Sequence, residues 1–109
     1  MSLTEKKCIP CSGGTPQLTA SEREALLNQV SGWQVMDEKK LTKSYAFKDF
    51  NGPMKLANKI WEIAEGEGHH PDLFIAWGNL KAEIWTHAAG GLTESDFILA
   101  AKIDEAATE

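Results

Sequence analysis

The stretch "LFIAWGNLKAEIWTH", residues 73–87, decides the fold because it has the pattern of a β-hairpin. Apolar residues at 73–77 and alternating residues at 80–87 flank Gly78 and Asn79, two residues that favour a turn. The alternation puts Leu80, Ala82, Ile84 and Thr86 on one face of the second strand, and Lys81, Glu83, Trp85 and His87 on the other. His87 is therefore predicted to face away from the core.

Helix signals flank this hairpin on both sides. After it, Thr93 and Asp96 have the spacing of a capping box, with Asp96 at the third helical position. The expected buried stripe of that last helix is Leu99, Ala100, Ile103, Ala106 and Ala107. Before the hairpin, Asp49 is predicted to cap a helix that has Pro53 in its first turn. Its apolar positions at helical spacing are Met54, Ala57, Ile60, Trp61 and Ala64.

The first half of the chain repeats the same kinds of element. Thr19 and Glu22 form a capping box for a short helix that Gly32 can end. The segment "WQVMDEKKLTKSYAF", residues 33–47, predicts another hairpin. The predicted order is α-β-β-α-β-β-α. This order is typical of a single α+β domain with a four-stranded antiparallel sheet and three helices packed on one face.

Residues 1–18 are predicted to be a flexible N-terminal arm and residues 19–109 the folded domain, since prolines and glycines at 10, 13, 14 and 16 block regular structure. The arm contains Cys8 and Cys11 in a C-x-x-C motif. A structural zinc site would need four ligands, and a second cysteine pair does not exist. A thioredoxin-like pair would open a helix after a strand. We interpret the two residues as reduced thiols.

Composition narrows the function classes for this chain of 109 residues. The net charge is −5 and the pI is about 5.2, which disfavours nucleic acid as a partner. No apolar run approaches the roughly 18 residues that a membrane span needs, and the first residues lack the apolar core of a signal peptide. We therefore expect a cytoplasmic protein that binds neither nucleic acid nor membrane.

All three histidines lie in "EGEGHHPDLFIAWGNLKAEIWTH", residues 65–87. Pro71 favours an extended backbone at His70, so the side chains of His69 and His70 should diverge and serve different purposes. Glu65 precedes His69 by four residues and would lie beside it if the helix continued through two glycines. Three imidazoles can hold a catalytic zinc ion, but adjacent histidines rarely converge on one metal. Metal-free general acid–base catalysis fits the pattern better.

The spacing of these residues resembles the motif of the pterin-4a-carbinolamine dehydratase family. The pattern E-x-x-x-H-H-P-x-x-x-x-x-W, followed by a histidine and an aspartate, is matched at Glu65, His69, His70, Pro71, Trp77, His87 and Asp96. The segment "WTHAAGGLTESDFILAAKID", residues 85–104, is similar to the family's closing segment. "CIPCSGGTPQLT", residues 8–19, with "SGW", residues 31–33, resembles the amino-terminal part of bacterial members.

The resemblance implies a dehydratase that converts 4a-hydroxytetrahydropterin to quinonoid dihydropterin and water, with no cofactor. It implies catalytic roles for His69, His70, His87 and Glu65. We assign His69 and His87 as the proton-transfer pair, Glu65 as the group that orients His69, and His70 as a binding or second proton-handling group.

For substrate binding the resemblance implies Trp77, Asp96 and Pro71. Trp77 can equally stack on the pterin or pack in the core. The capping box already explains Asp96, so a helix cap is favoured there. As partners the resemblance implies a reduced pterin, a second copy in a homodimer or homotetramer, and a functional link to an aromatic amino acid hydroxylase in tetrahydropterin recycling.

Two rival functions stay open at this point. Animal members of the family also act as dimerisation cofactors for a transcription factor, so this scaffold could be a non-catalytic regulatory module. A metal-dependent hydrolase could use the same histidines. The complete set of three imidazoles favours the dehydratase, because a pure adaptor has no evident need for them.

Overall fold

The computed structural model describes residues 3–5 and 17–108. Within these ranges the helices are α1 (Ala20–Leu27), α2 (Asn51–Glu67) and α3 (Glu94–Ala107). The strands are β1 (Gln34–Met36), β2 (Lys40–Ala46), β3 (Asp72–Ala76) and β4 (Asn79–Ile84). Two short 3₁₀ turns cover Leu3–Glu5 and His87–Ala89. The predicted order α-β-β-α-β-β-α is confirmed.

The strands form one antiparallel sheet in the order β1-β2-β4-β3. Leu41 pairs with Ile84, and Tyr45 with Leu80, across the two central strands. Because side chains alternate along a strand, these pairs share one face of the sheet. That face packs against α2 and α3, and α1 packs on α3. The predicted α+β class, with the helices on one face of a four-stranded antiparallel sheet, is confirmed.

Helix α3 lies at the centre of the core. The predicted capping box at Thr93 and Asp96 is present, and the Thr93 backbone N–H donates to Asp96 Oδ2 at 2.8 Å. Its predicted stripe is buried except for Ala107, which is exposed at the end of the helix. Since α3 is surrounded by the sheet, α1, α2 and the first 3₁₀ turn, other residues such as Phe97 and Ile98 are buried as well.

Helix α2 buries only part of its predicted apolar set: Ile60 and Ala64 are buried and Ala57 is partly buried, as predicted. The buried residues of this helix are Pro53, Leu56, Ile60 and Ala64. Met54 and Trp61, two of the predicted apolar positions, are exposed together with Phe50 at the helix start. Residues three and four apart share a helix face, so these three side chains form a second apolar row that faces outward.

Strand β4 ends at Ile84, so the predicted strand through His87 is too long. The backbones of Thr86 and Gly91 form an isolated bridge, with N–H to O distances of 3.0 and 3.3 Å. This bridge closes a tight loop that begins with the 3₁₀ turn at His87. The prediction that His87 faces away from the core is confirmed, because its side chain is exposed.

The predicted arm is described only at its two ends. Leu3 is buried in the hydrophobic core, and the Lys102 ammonium donates to the Thr4 carbonyl at 3.2 Å. The Leu18 N–H donates to the Leu92 carbonyl at 2.8 Å. Cys8 and Cys11 lie outside the described residues, and the division of the chain at residue 18 stays a prediction. Among the helices of the described residues, none has the length and apolar character needed to cross a membrane.

Candidate active site

The chain path brings all three histidines to one end of the second hairpin. Gly68 ends α2 in the left-handed conformation, with φ +67°, a geometry that glycine adopts without strain. His69 and His70 therefore follow directly and precede β3. Because β3 pairs with β4 in antiparallel register, with Asp72 opposite Glu83, the start of β3 lies beside the segment that leads to His87. These residues line a pocket of about 230 Å³ formed by Gly68, His69, His70, Trp85 and His87.

His69 is paired with Asp96 in the protein interior. The His69 Nε2 atom lies 2.6 Å from Asp96 Oδ1, and the two side chains are only 4% and 0% exposed. The sequence separates these residues by 27 positions, so the contact depends on the tertiary fold. A carboxylate oxygen accepts, so the imidazole donates through its Nε2–H. The pair fixes both the tautomer and the orientation of the His69 ring.

Asp96 is held by its other oxygen as well. The Thr86 hydroxyl donates to Asp96 Oδ2 at 2.8 Å, and the Thr93 backbone N–H donates to the same atom at 2.8 Å. The Thr93 hydroxyl lies 2.8 Å from the Thr86 hydroxyl, and since the Thr86 proton is used, Thr93 donates to Thr86. The predicted helix cap is therefore real, and the same carboxylate also orients His69.

Glu65 contacts His70 and not His69, so the predicted Glu65–His69 contact is wrong. The Glu65 Oε2 atom lies 2.6 Å from His70 Nε2, and both side chains are about 60% exposed, at 60% and 59%. The reason is the left-handed turn at Gly68, which ends the helix before His69 can occupy the next helical position. The chain turns His69 inward towards α3, and His70 comes back beside the last turn of α2.

His87 is held by different means. Its imidazole packs against the Trp85 indole, with ring centroids 4.9 Å apart and planes at 59°. The loop backbone around it is fixed, because the Gly90 N–H donates to the His87 carbonyl at 3.1 Å and the Gln17 side-chain amide donates to the Ala89 carbonyl at 3.0 Å. His87 thus reaches the pocket from a short loop whose backbone is held by several hydrogen bonds.

Of the remaining predicted site residues, Pro71 adjoins the pocket and Trp77 does not. Pro71 is partly buried between His70 and β3. Trp77 lies in the turn after β3, at the opposite end of the hairpin from the histidines, and is 72% exposed. Within one protomer the structure therefore does not bring Trp77 together with the pocket, and Trp77 does not pack in the core either.

Sequence reasoning missed two residues of the site, Thr86 and Trp85. Strand alternation assigned Thr86 to the core, where it is indeed buried, but no pattern indicated its hydrogen bond to Asp96. The signal for Trp85 was available, because the same alternation put it on the outer face with His87. Because alternate residues of a strand share a face, the pattern predicts that Trp85 and His87 are neighbours.

Larger cavities elsewhere lack comparable chemistry. One of about 380 Å³ between α2 and α3 is lined by charged side chains that include Lys59, Glu67 and Lys102, without an imidazole. We place the candidate site at the smaller pocket because it combines several imidazoles, two of which are bound to carboxylates. Residues 3–5 and 17–108 contain no group of three or more His, Cys, Asp or Glu side chains placed to hold one metal ion.

The fold and this site together define an α+β protein with a histidine and carboxylate cluster suited to proton transfer. A family model described as pterin 4 alpha carbinolamine dehydratase matches residues 16–106. The chain therefore belongs to the pterin-4a-carbinolamine dehydratase family, as its sequence motif indicated.

Individual relatives agree with this assignment. A Rickettsia bellii protein whose name places it in the same family is 56% identical over 104 residues, 94% of this chain and 92% of the relative. Pterin-4-alpha-carbinolamine dehydratase 2 of Arabidopsis thaliana, a mitochondrial protein, is 46% identical, with 98% of this chain and 60% of that longer protein covered.

A solved structure is also similar. The crystal structure of a transcriptional coactivator/pterin dehydratase from Brucella melitensis is 34% identical and superposes with a TM-score of 0.79. The match covers 84% of this chain and 98% of the Brucella chain. The overall fold is thus shared with a protein of known structure.

Proposed function

We propose that this chain is a dehydratase that converts 4a-hydroxytetrahydropterin to quinonoid dihydropterin and water. The observation that carries the proposal is the pocket itself, in which three imidazoles from two segments meet and two of them are bound to carboxylates. Family membership supports the choice of a pterin as substrate. The reaction needs groups that give and take protons near neutral pH, and imidazoles do this.

In the proposed reaction the bond between ring carbon 4a and its hydroxyl oxygen breaks. One imidazolium gives a proton to the departing hydroxyl, which leaves as water, while a neutral imidazole takes the proton from the adjacent ring nitrogen. The electron pair of that N–H bond forms the new carbon–nitrogen double bond. The protein gives one proton and takes one, and the loss of water transfers no electrons to or from another molecule, so the step needs no external oxidant or reductant.

We assign the two proton transfers to His69 and His87. Asp96 fixes the ring of His69 from inside the protein, and His87 stands on a loop at the exposed side of the same pocket. His70, with Glu65 at 2.6 Å, is the binding or second proton-handling group. Pro71 shapes the backbone between His70 and β3. We leave Trp77 out of the site because it lies at the far end of the hairpin.

We further propose that the chain works as a homodimer or homotetramer. The support is the exposed apolar row of α2, Phe50, Met54 and Trp61, which a second copy could cover. The proposal includes a functional link to an aromatic amino acid hydroxylase, which would supply the substrate. It also includes a cytoplasmic location. Neither nucleic acid nor membrane is expected as a partner.

The non-catalytic alternative has one specific observation in its favour. The structurally similar Brucella melitensis protein is named a transcriptional coactivator as well as a pterin dehydratase. A regulatory module on the same scaffold would need its outer surfaces but not its histidines. Substitution of the histidines therefore separates the two functions, because only the dehydratase should lose activity.

The direct experiment follows the dehydration of 4a-hydroxytetrahydropterin with and without the purified protein, before and after exhaustive chelation. We expect a clear acceleration that survives chelation, since the adjacent histidines suit proton transfer better than shared metal ligation. An absence of acceleration would refute the dehydratase. A loss of activity on chelation that zinc restores would instead favour metal-dependent chemistry.

A further inference from the structure

The three histidines of the pocket are not held in the same way. His69 and His70 each contact a carboxylate at 2.6 Å. Within the described part of the chain, the His87 side chain makes no hydrogen bond, and its ring contact is with Trp85 at 4.9 Å between centroids. An exposed imidazole without a hydrogen-bonded partner would sample several rotamers. The indole is therefore the group that restricts the His87 ring.

Trp85 is itself held in place on the outer face of the sheet. The Lys40 ammonium lies 3.7 Å from the centre of a Trp85 ring, within the range of a cation–π contact. Lys40 is anchored in turn by Glu83, whose Oε1 atom lies 3.5 Å from Lys40 Nζ. An indole has only two rotatable side-chain bonds, so ordering it costs little conformational entropy, and the Lys40 contact favours the observed ring position.

Glu83 anchors this arrangement from a nearly buried position. Its side chain is nearly covered, and its second oxygen contacts the Lys81 ammonium at 3.4 Å, so two lysines neutralise one carboxylate. Glu83 lies in β4 and Trp85 follows one residue after its end, and the Lys40 ammonium contacts both side chains. The network thus runs from a regular part of the sheet outward to the irregular loop that begins at His87.

We propose that Trp85 is a positioning residue for His87, and that Lys40, anchored by Glu83, fixes the Trp85 ring for this purpose. The proposal rests on the proposed function in one respect, the role of His87 as a proton-transfer group. The His69 ring receives its orientation from Asp96, and the His87 ring receives its orientation from an aromatic plane. A displaced imidazole would reach the reacting atoms less often, although substrate could still bind.

The first test measures the position of the ring without any activity assay. Side-chain NMR resonances of the His87 ring protons should show the ring-current shift of a neighbouring indole. In Trp85→Leu this shift should vanish, and in Trp85→Phe part of it should remain. Phe74→Leu is the matched control, because Phe74 lies on β3 with the Lys81 ammonium 4.9 Å from its ring, and its loss should leave the His87 resonances unchanged. Unchanged His87 resonances in Trp85→Leu would overturn the proposal.

The second test separates positioning from direct substrate contact. Trp85→Leu should lower kcat by roughly 10-fold with little change in KM, since misplacing one catalytic group weakens the transition state and not ground-state binding. Trp85→Phe should restore most of kcat, and Lys40→Met should give an intermediate loss. A rise in KM at constant kcat would overturn the proposal, because it would make Trp85 a substrate contact. If His87→Ala retains full activity while the NMR shifts behave as expected, the proposed role of His87 fails and the ring contact stands.

Discussion

His69 and His70 are neighbours in sequence, and each has a ring nitrogen 2.6 Å from a carboxylate oxygen, yet the two pairs lie in opposite environments. The His69–Asp96 pair is buried and further hydrogen-bonded through Thr86 and Thr93. The His70–Glu65 pair is mostly exposed to water. In water an ion pair contributes little, whereas a buried polar group without its partner is costly. The two pairs have the same distance between nitrogen and oxygen, but we expect the loss of the buried carboxylate to destabilise the protein much more than the loss of the exposed one.

The largest expected effect is the loss of Asp96. Asp96→Ala removes the acceptor for His69, Thr86 and the Thr93 N–H at once, so we expect the free energy of unfolding to fall by about 3 kcal/mol or more. Urea unfolding followed by circular dichroism measures this value. Asp96→Asn is the control, because its amide oxygen can still cap α3 while the negative charge is absent. A loss below about 1 kcal/mol in Asp96→Ala would show that burial does not strengthen this network.

A partly buried carboxylate, Asp104, extends the comparison to high pH. It accepts hydrogen bonds from Trp33 Nε1 at 3.0 Å, Lys43 Nζ at 2.7 Å and the Tyr45 hydroxyl at 2.6 Å. Burial raises the pKa of the Tyr45 phenol far above its ordinary value of about 10, and the hydrogen bond to Asp104 and the charge of that carboxylate raise this pKa further. Tyr45 should therefore stay protonated in the folded protein at alkaline pH.

The direction in which the free energy of unfolding changes with pH follows from the number of protons that the folded and the unfolded protein bind. Below about pH 10 the folded and the unfolded protein both hold the phenol proton of Tyr45, whereas above this pH only the folded protein holds it. The stability that Tyr45 contributes is therefore lost as the pH rises. We expect the free energy of unfolding to fall by up to about 1.4 kcal/mol per pH unit, and by less in Tyr45→Phe. Tyr45 is the only tyrosine, so phenolate absorbance reports it directly. A phenolate signal near pH 10 in the folded protein would contradict the burial effect.

The smallest expected effect belongs to the exposed pair. Glu65→Ala should change the free energy of unfolding by less than about 0.5 kcal/mol, since solvent and salt screen the pair with His70. The variant is matched to Asp96→Ala and uses the same urea experiment. If the two variants lost similar stability, the distinction between the buried and exposed pairs would be wrong.

The sequence predicted the elements well because local signals specify them. Capping boxes at Thr19 and Thr93 and the alternation in β4 depend on residues a few positions apart. The partners of the histidines were not predicted correctly, because they depend on where α2 ends. A left-handed turn at Gly68 exchanges the expected neighbours, so that Glu65 meets His70 while His69 reaches Asp96 across 27 positions.

Helix α2 shows a second limit of the sequence pattern. Its apolar residues outnumber those that the core can cover, and a pattern cannot tell a buried row from an exposed one. Leu56 and Ile60 face the core, whereas Met54 and Trp61 face outward. The outward row is what an oligomer of this chain would be expected to bury.

We propose that buried His69 and exposed His87 serve one elimination, and a double-mutant cycle is the sharpest test of this pairing. Dehydration rates would be measured for His69→Ala, His87→Ala and the combination, with unfolding curves for each. Each single change should slow the reaction by about 100-fold or more, and the double change should lose far less than the product, since groups that act in one step are not additive. His87→Ala should keep its stability within about 0.5 kcal/mol. Losses that multiply, or a His87→Ala variant that unfolds while its folded fraction turns over normally, would contradict the pairing.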